Sequence, residues 1–79
     1  MDQWEEKVIS LISEKSGIDS SNIKRTSQIN VDIVLDSLSY AELLMDCEDI
    51  CKIDIPLEDA ANFKTVEDIL TYIQKKVAA

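Results

Sequence analysis

Val66, Ile69, Leu70, Ile73 and Val77 recur at steps of three and four residues. That spacing gathers them on one face of an α-helix and leaves the opposite face polar. Thr65 suits the N-cap of this helix, Asp68 holds the capping-box position, and Lys75 and Lys76 complement the dipole in the last turn. The same period governs the beginning of the chain. Trp4, Val8, Leu11 and Ile12 form one stripe of a helix running from about Gln3 to Ser16, with Asp2 available as its cap. Glu5, Glu6, Lys7, Glu14 and Lys15 fall mostly on the other, solvated face, and Gly17 follows where a left-handed residue ends a helix.

Between these two stripes the pattern breaks and then resumes. From Ile18 to Leu35 the clusters Asp19-Ser20-Ser21-Asn22 and Thr26-Ser27-Gln28 are of turn type. Ile18, Ile23, Ile29, Val31, Ile33 and Leu35 are scattered among them, which makes the segment too apolar for disorder. It reads as a long loop pinned by isoleucines that dip into the core, with a helical turn near Ser20–Lys24. A second long helix is expected from about Ser37 to Cys51 or Lys52. Asp36 is one candidate cap, and the box formed by Ser39 and Glu42 competes with it two residues later. Leu43, Cys47 and either Ile50 or Cys51 continue its apolar stripe, with Leu38 nearby. Leu44 and Met45 lie to one side and are expected at the surface, a weak hint of a contact area. Ile55-Pro56 closes this helix, because a residue before proline avoids helical geometry. Leu57 to Phe63 suits a short helix of one to two turns. No period-2 strand signal and no repeat occurs. The expected architecture is all-α, a small four-helix bundle with three main helices, one short helix, and a long loop between the first and second.

A chain of 79 residues is expected to form a single domain, residues 1–79, and sits near the lower limit for a self-supporting core. Sixteen acidic residues against eight basic ones leave a formal net charge of −8. Nucleic acid is therefore not an expected partner, since phosphate neutralisation needs clustered lysine and arginine. Self-repulsion of that charge should make stability rise with salt or divalent cations. No apolar run is long enough to span a bilayer, and the acidic start lacks the basic residues of a signal peptide, so a cytoplasmic, monomeric protein without membrane insertion is expected. The absence of histidine removes Ser-His and Cys-His pairings, and a single glycine cannot build a phosphate loop or a dinucleotide fingerprint. Cys47 and Cys51, four apart on the second helix, suit a shared buried face rather than a disulfide or a metal site. Calcium-loop frames beginning at Asn30 or Asp32 meet Ala41 or Leu43 where a bidentate acid is required. Neither a catalytic set nor a metal site is expected.

Ser37 remains. A serine at a helix start is usually structural, but three features favour a functional role. A helix N-terminus stabilises an attached phosphate through its free N–H groups and dipole. No basic residue occurs between Arg25 and Lys52, whereas Asp32, Asp36, Glu42, Asp46, Glu48 and Asp49 do, which suits docking to basic partners. A long loop beside a rigid helix is also a common setting for functional groups.

Asp36-Ser37-Leu38, followed by Glu42-Leu43, Met45 and then Ile55-Pro56, resembles the acyl carrier proteins, and more broadly the phosphopantetheine-dependent carriers. The resemblance extends over nearly the whole chain, including the helix order, the long first loop and the Thr65-Val66 start of the last helix. It implies that Ser37 is esterified by 4′-phosphopantetheine, installed from coenzyme A by a phosphopantetheinyl transferase. It implies that the thiol of this arm holds acyl chains as thioesters, and that the helix after the serine is the recognition helix. By position, Asp36, Leu38, Glu42, Leu44, Met45 and Glu48 would contact acyl-loading and acyl-processing enzymes of fatty-acid, polyketide or related biosynthesis. The protein itself would catalyse nothing; it would raise the local concentration of its cargo at each enzyme.

Four positions depart from the family's usual pattern. Val34 stands where a glycine is common, and a β-branched residue disfavours positive φ. Ser39 stands where fatty-acid carriers usually have an acid. Cys47 and Cys51 replace larger apolar residues, which either leaves room for an acyl chain or is compensated by Trp4, Phe63 or Tyr72. An aminoacyl or D-alanyl carrier with the same arm is the close alternative. An acidic interaction domain that carries no arm is the alternative of another class.

Overall fold

The computed structural model describes residues 3–78. Helix α1 spans Gln3–Ser16, a 3₁₀ turn covers Ser20–Asn22, and α2 spans Ser37–Cys51; α3 is a single turn, Leu57–Ala60, and α4 spans Val66–Ala78. The expected all-α bundle, with three long helices, one short one and a long first loop, is what forms. The proposed Asp2 cap lies outside the described residues.

The apolar stripes explain the packing. Val8 and Ile12 of α1 are buried, as are Leu43, Leu44 and Cys47 of α2 and Val66, Ile69, Leu70 and Ile73 of α4. Burying a side chain of this kind contributes about 1.5–3 kcal/mol relative to leaving it in water, so these faces hold the bundle together. Gly17 ends α1 with φ at 77°, and its N–H donates to the Ser13 carbonyl at 2.9 Å. α3 is shorter than the expected Leu57–Phe63, with Ala61 and Asn62 continuing as a turn. Phe63 instead packs edge-to-face on Tyr72 at a ring separation of 5.3 Å.

The long loop is ordered by two means. Ile23, Ile33 and Leu35 reach the core, while Val31 stays exposed. Backbone pairing does the rest. The Ile29 N–H donates to the Lys64 carbonyl at 2.8 Å, Val66 N–H to Ser27 at 3.0 Å, and Glu67 N–H to Arg25 at 2.8 Å. The loop carbonyls thereby satisfy N–H groups of the first turn of α4, which have no partner within the helix. Thr65 and Asp68 complete that end as a reciprocal box: Asp68 N–H donates to Thr65 Oγ1 at 3.2 Å, and Thr65 N–H to Asp68 Oδ2 at 3.1 Å. Arg25 adds ion pairs to Glu5 of α1 and Glu67 of α4. Among the described residues the only β-type pairings are isolated bridges, Gln28 with Thr65 and Ile29 with Ile33.

Candidate functional site

Ser37 is the first residue of α2, and it is exposed. Its position is set by Asp36, whose Oδ1 accepts the Ser39 N–H at 2.7 Å while its carbonyl accepts the Tyr40 N–H at 2.9 Å. Of the two competing caps, Asp36 is therefore the one used. Accepting the Ser39 amide holds the Asp36 carboxyl below the usual carboxylate range, with a smaller contribution from Leu38. The helix start is thus anchored by a residue that stays ionised, and the serine beside it faces solvent.

Exposure divides the candidate contact residues. Leu38 is 70% exposed and Met45 62%, so both apolar side chains are open to a partner. Leu44 is 3% exposed and belongs to the core. This corrects the expectation that Leu44 and Met45 share the surface. Adjacent residues on a helix point about 100° apart, and the buried face of α2 is wide enough to take Leu43, Leu44 and Cys47 but not Met45. Leu38, close to the stripe by spacing, stands outside it and faces solvent.

The acids divide similarly. Glu42 is exposed, yet Lys15 of α1 approaches it at 3.8 Å and Asp46 at 3.6 Å. Part of the acidic field of α2 is therefore met from within the protein, by a lysine that the sequence assigned to a solvated face. Glu48 is half-buried, and its Oε2 accepts the Ile55 N–H at 2.7 Å. It acts as an internal brace for the segment entering α3, so this carboxylate, expected to contact partners, is engaged within the protein. The end of α2 is finished by Lys52, left-handed at φ 56°, with its N–H donating to the Glu48 carbonyl.

Val34 is 72% exposed and is not among the left-handed residues, which among the described residues are Asn30, Lys52 and Gly17. The loop makes its tight turn at Asn30 instead, where the Gln28 carbonyl accepts the N–H groups of Asp32 and Ile33 at 2.9 and 3.0 Å. A β-branched side chain is therefore tolerated three residues before the serine. Val31 and Leu57 are further exposed apolar residues.

Cys47 is completely buried, and burial pushes its thiol up to about 12, with Cys51, Asp46 and Glu48 adding to the rise. Such a thiol stays protonated and inert. Three surface grooves, of about 500, 520 and 280 Å³, open elsewhere, and neither cysteine lines any of them. Among the described residues, no helix is long and apolar enough to cross a membrane. Tyr40, which the sequence reading passed over, sends its hydroxyl across to the Ala60 carbonyl at 2.9 Å.

Comparison with known proteins gives a consistent answer. The family described as phosphopantetheine attachment site matches residues 6–73. The chain is similar to an acyl carrier protein of Bdellovibrio bacteriovorus, 39% identical over 70 residues, covering 89% of this chain and 90% of the relative. It is similar to one from Rickettsia canadensis, 40% identical over 75 residues, covering 95% and 87%. One from Phytoplasma australiense is 38% identical over 73 residues, covering 92% and 96%.

Proposed function

We propose that this chain, which belongs to the acyl carrier protein family, bears the family's covalent 4′-phosphopantetheine on the Ser37 hydroxyl. The protein is a carrier and not an enzyme. The observation that supports Ser37 is its setting: an exposed hydroxyl opening a helix of 15 residues, inside the matched region. These residues fit the group. A phosphodiester needs an accessible oxygen, and its negative charge is favoured by the positive end of α2. When bound, the group supplies a flexible arm whose terminal thiol holds acyl groups as thioesters.

The chain's own residues position that arm and steer its partners. Asp36 fixes the first turn, so the hydroxyl stands at the rim of the bundle. Leu38 and Met45 offer apolar contacts, and Glu42 with its acidic neighbours draws the basic docking patch of a loading or processing enzyme. The cargo is acyl, delivered to enzymes of fatty-acid, polyketide or related synthesis.

The test is intact mass after incubation with coenzyme A and a broad-specificity phosphopantetheinyl transferase. One phosphopantetheinyl adduct is expected on the wild type and none on Ser37→Ala. No adduct on the wild type, or an adduct on the variant, refutes the assignment. Parallel loading with fatty-acid and amino-acid activating enzymes distinguishes an acyl from an aminoacyl cargo.

A further inference from the structure

Lys15 lies in the last turn of α1, where a cation complements the helix dipole. Its ammonium does not stay with α1. It reaches across to α2 and stands 3.8 Å from Glu42 Oε2 and 3.6 Å from Asp46 Oδ2. Those two acids are four residues apart and so share one face of the helix. The lysine side chain is 21% exposed, against 51% for Glu42 and 42% for Asp46, so it is the sheltered member of the set. Leu38, Glu42 and Met45 follow at steps of four and three, which puts Glu42 between the two exposed apolar residues Leu38 and Met45. The lysine therefore engages the acid at the centre of that stripe. Of the other acids on α2, Glu48 is tied to the Ile55 N–H at 2.7 Å, while Asp49 is exposed and enters no ion pair among the described residues. An ion pair with exposed partners at such distances is weak, so another cation exchanges for it readily.

We propose that Lys15 is an internal competitor for the docking face of α2: its ammonium takes the place of a partner's cation beside Glu42 and Asp46, and a partner docks there by displacing it. The proposal rests on the reading of α2 as the docking face beside Ser37. A partner with a single cation exchanges one ion pair for another and gains nothing at this position. A partner with a basic patch brings further charges to the same face, Asp49 included, and outcompetes the lysine. Lys15 is thereby a specificity-determining residue that selects enzymes presenting several lysines or arginines together.

The test follows phosphopantetheinylation of the full-length chain by a broad-specificity transferase, with kcat and KM for the carrier measured from low to high salt and Tm recorded for each variant. Wild type, Lys15→Met, Lys15→Gln and Lys75→Met on α4 are compared, together with Glu42→Gln plus Asp46→Asn, with and without Lys15→Met. Lys15→Met keeps the apolar stem and so retains the fold while removing the charge. It should lower KM several-fold at low salt with kcat unchanged, and the gain should fade as salt rises. Lys15→Gln should do the same. Lys75→Met changes the net charge equally and should have a smaller effect. Lys15→Met should have no effect once Glu42 and Asp46 are neutral. A lysine that only holds α1 to α2 would, on removal, lower Tm and leave KM unchanged or raised, which overturns the proposal. An equal effect of Lys75→Met overturns it, as does a Lys15→Met effect that survives neutralisation of both acids, since net charge alone then accounts for the gain. A wild-type KM independent of salt overturns the docking reading of α2 and the proposal with it. Failure of the wild type to take up any adduct, seen by mass, overturns the attachment reading and this proposal as well.

Discussion

Leu44 and Met45 are neighbours in sequence with opposite environments, and shortening each to alanine separates packing from recognition. Leu44 is 3% exposed and sits in the core cluster. Leu→Ala at such a site costs about 2–5 kcal/mol, the lost transfer energy plus the cavity left behind. A core of this size supplies a net stability of about 3–5 kcal/mol. A loss of about 3 kcal/mol, at about 4–8 °C per kcal/mol for a chain of this length, lowers Tm by about 12–24 °C. Met45 is 62% exposed, so its side chain has little burial to lose. Met45→Ala should stay within about 0.5 kcal/mol, or about 2–4 °C. Loading rate should respond in the reverse sense: Met45→Ala slows it while the fold persists, and Leu44→Ala leaves it unchanged wherever the protein remains folded. Thermal melts by circular dichroism, with phosphopantetheinylation followed by mass at a temperature where both are folded, make the comparison. Equal Tm losses would refute the division of α2 into core and contact faces. So would a folded Leu44→Ala that loads slowly beside a Met45→Ala that loads normally.

Raising the pH should weaken the fold. The Cys47 thiol moves from 9.0 to about 12 on folding, because burial favours its neutral form. Its contribution is complete below pH 9.0 and is lost as pH rises through about 12. Tyr72, raised from 10.0 to about 12 by partial burial and by donating to Asp59 at 2.7 Å, acts in the same direction above pH 10.0. Urea midpoints between pH 8 and 11 should therefore fall, and fall less in Cys47→Ala. At low pH the sign reverses. The Asp36 carboxyl lies below its ordinary 3.8, so its contribution is present above that value and disappears as pH falls through the lowered one. Asp36→Ala should speed hydrogen exchange at the Ser39 amide and Asp36→Asn should not, since asparagine retains the cap; equal exchange in all three would exclude Asp36 as the cap. With a net charge of −8 and, among the described residues, only Lys15 spanning Glu42 and Asp46, added magnesium should raise Tm, and a melt unchanged from low salt counts against charge repulsion as a cost to the fold.

Much of this protein is legible in the order of its residues. The stripes of α1 and α4, the glycine stop at Gly17, the Thr65–Asp68 box and the helix start at Ser37 all depend on neighbours within four or five positions. Local sequence carries such information directly, because helical period and capping are short-range. The choice between Asp36 and Ser39 as cap, the burial of Leu44 and the outward stance of Leu38 depended on which part of α2 the other helices cover. The loop from Ile18 to Leu35 was recognisable as ordered from its isoleucines, but its attachment to α4 runs through main-chain groups that every residue possesses, so no side-chain pattern could reveal it. Glu48 and Tyr40 make the same point at the site: one carboxylate among many and one tyrosine near a helix start become ties to Ile55 and Ala60 only when α3 is laid against α2. Sequence alone determined which helices form and which serine begins the second. Tertiary packing decided which of that helix's side chains remain free to meet anything else, because exposure belongs to the covering surfaces and not to the residue.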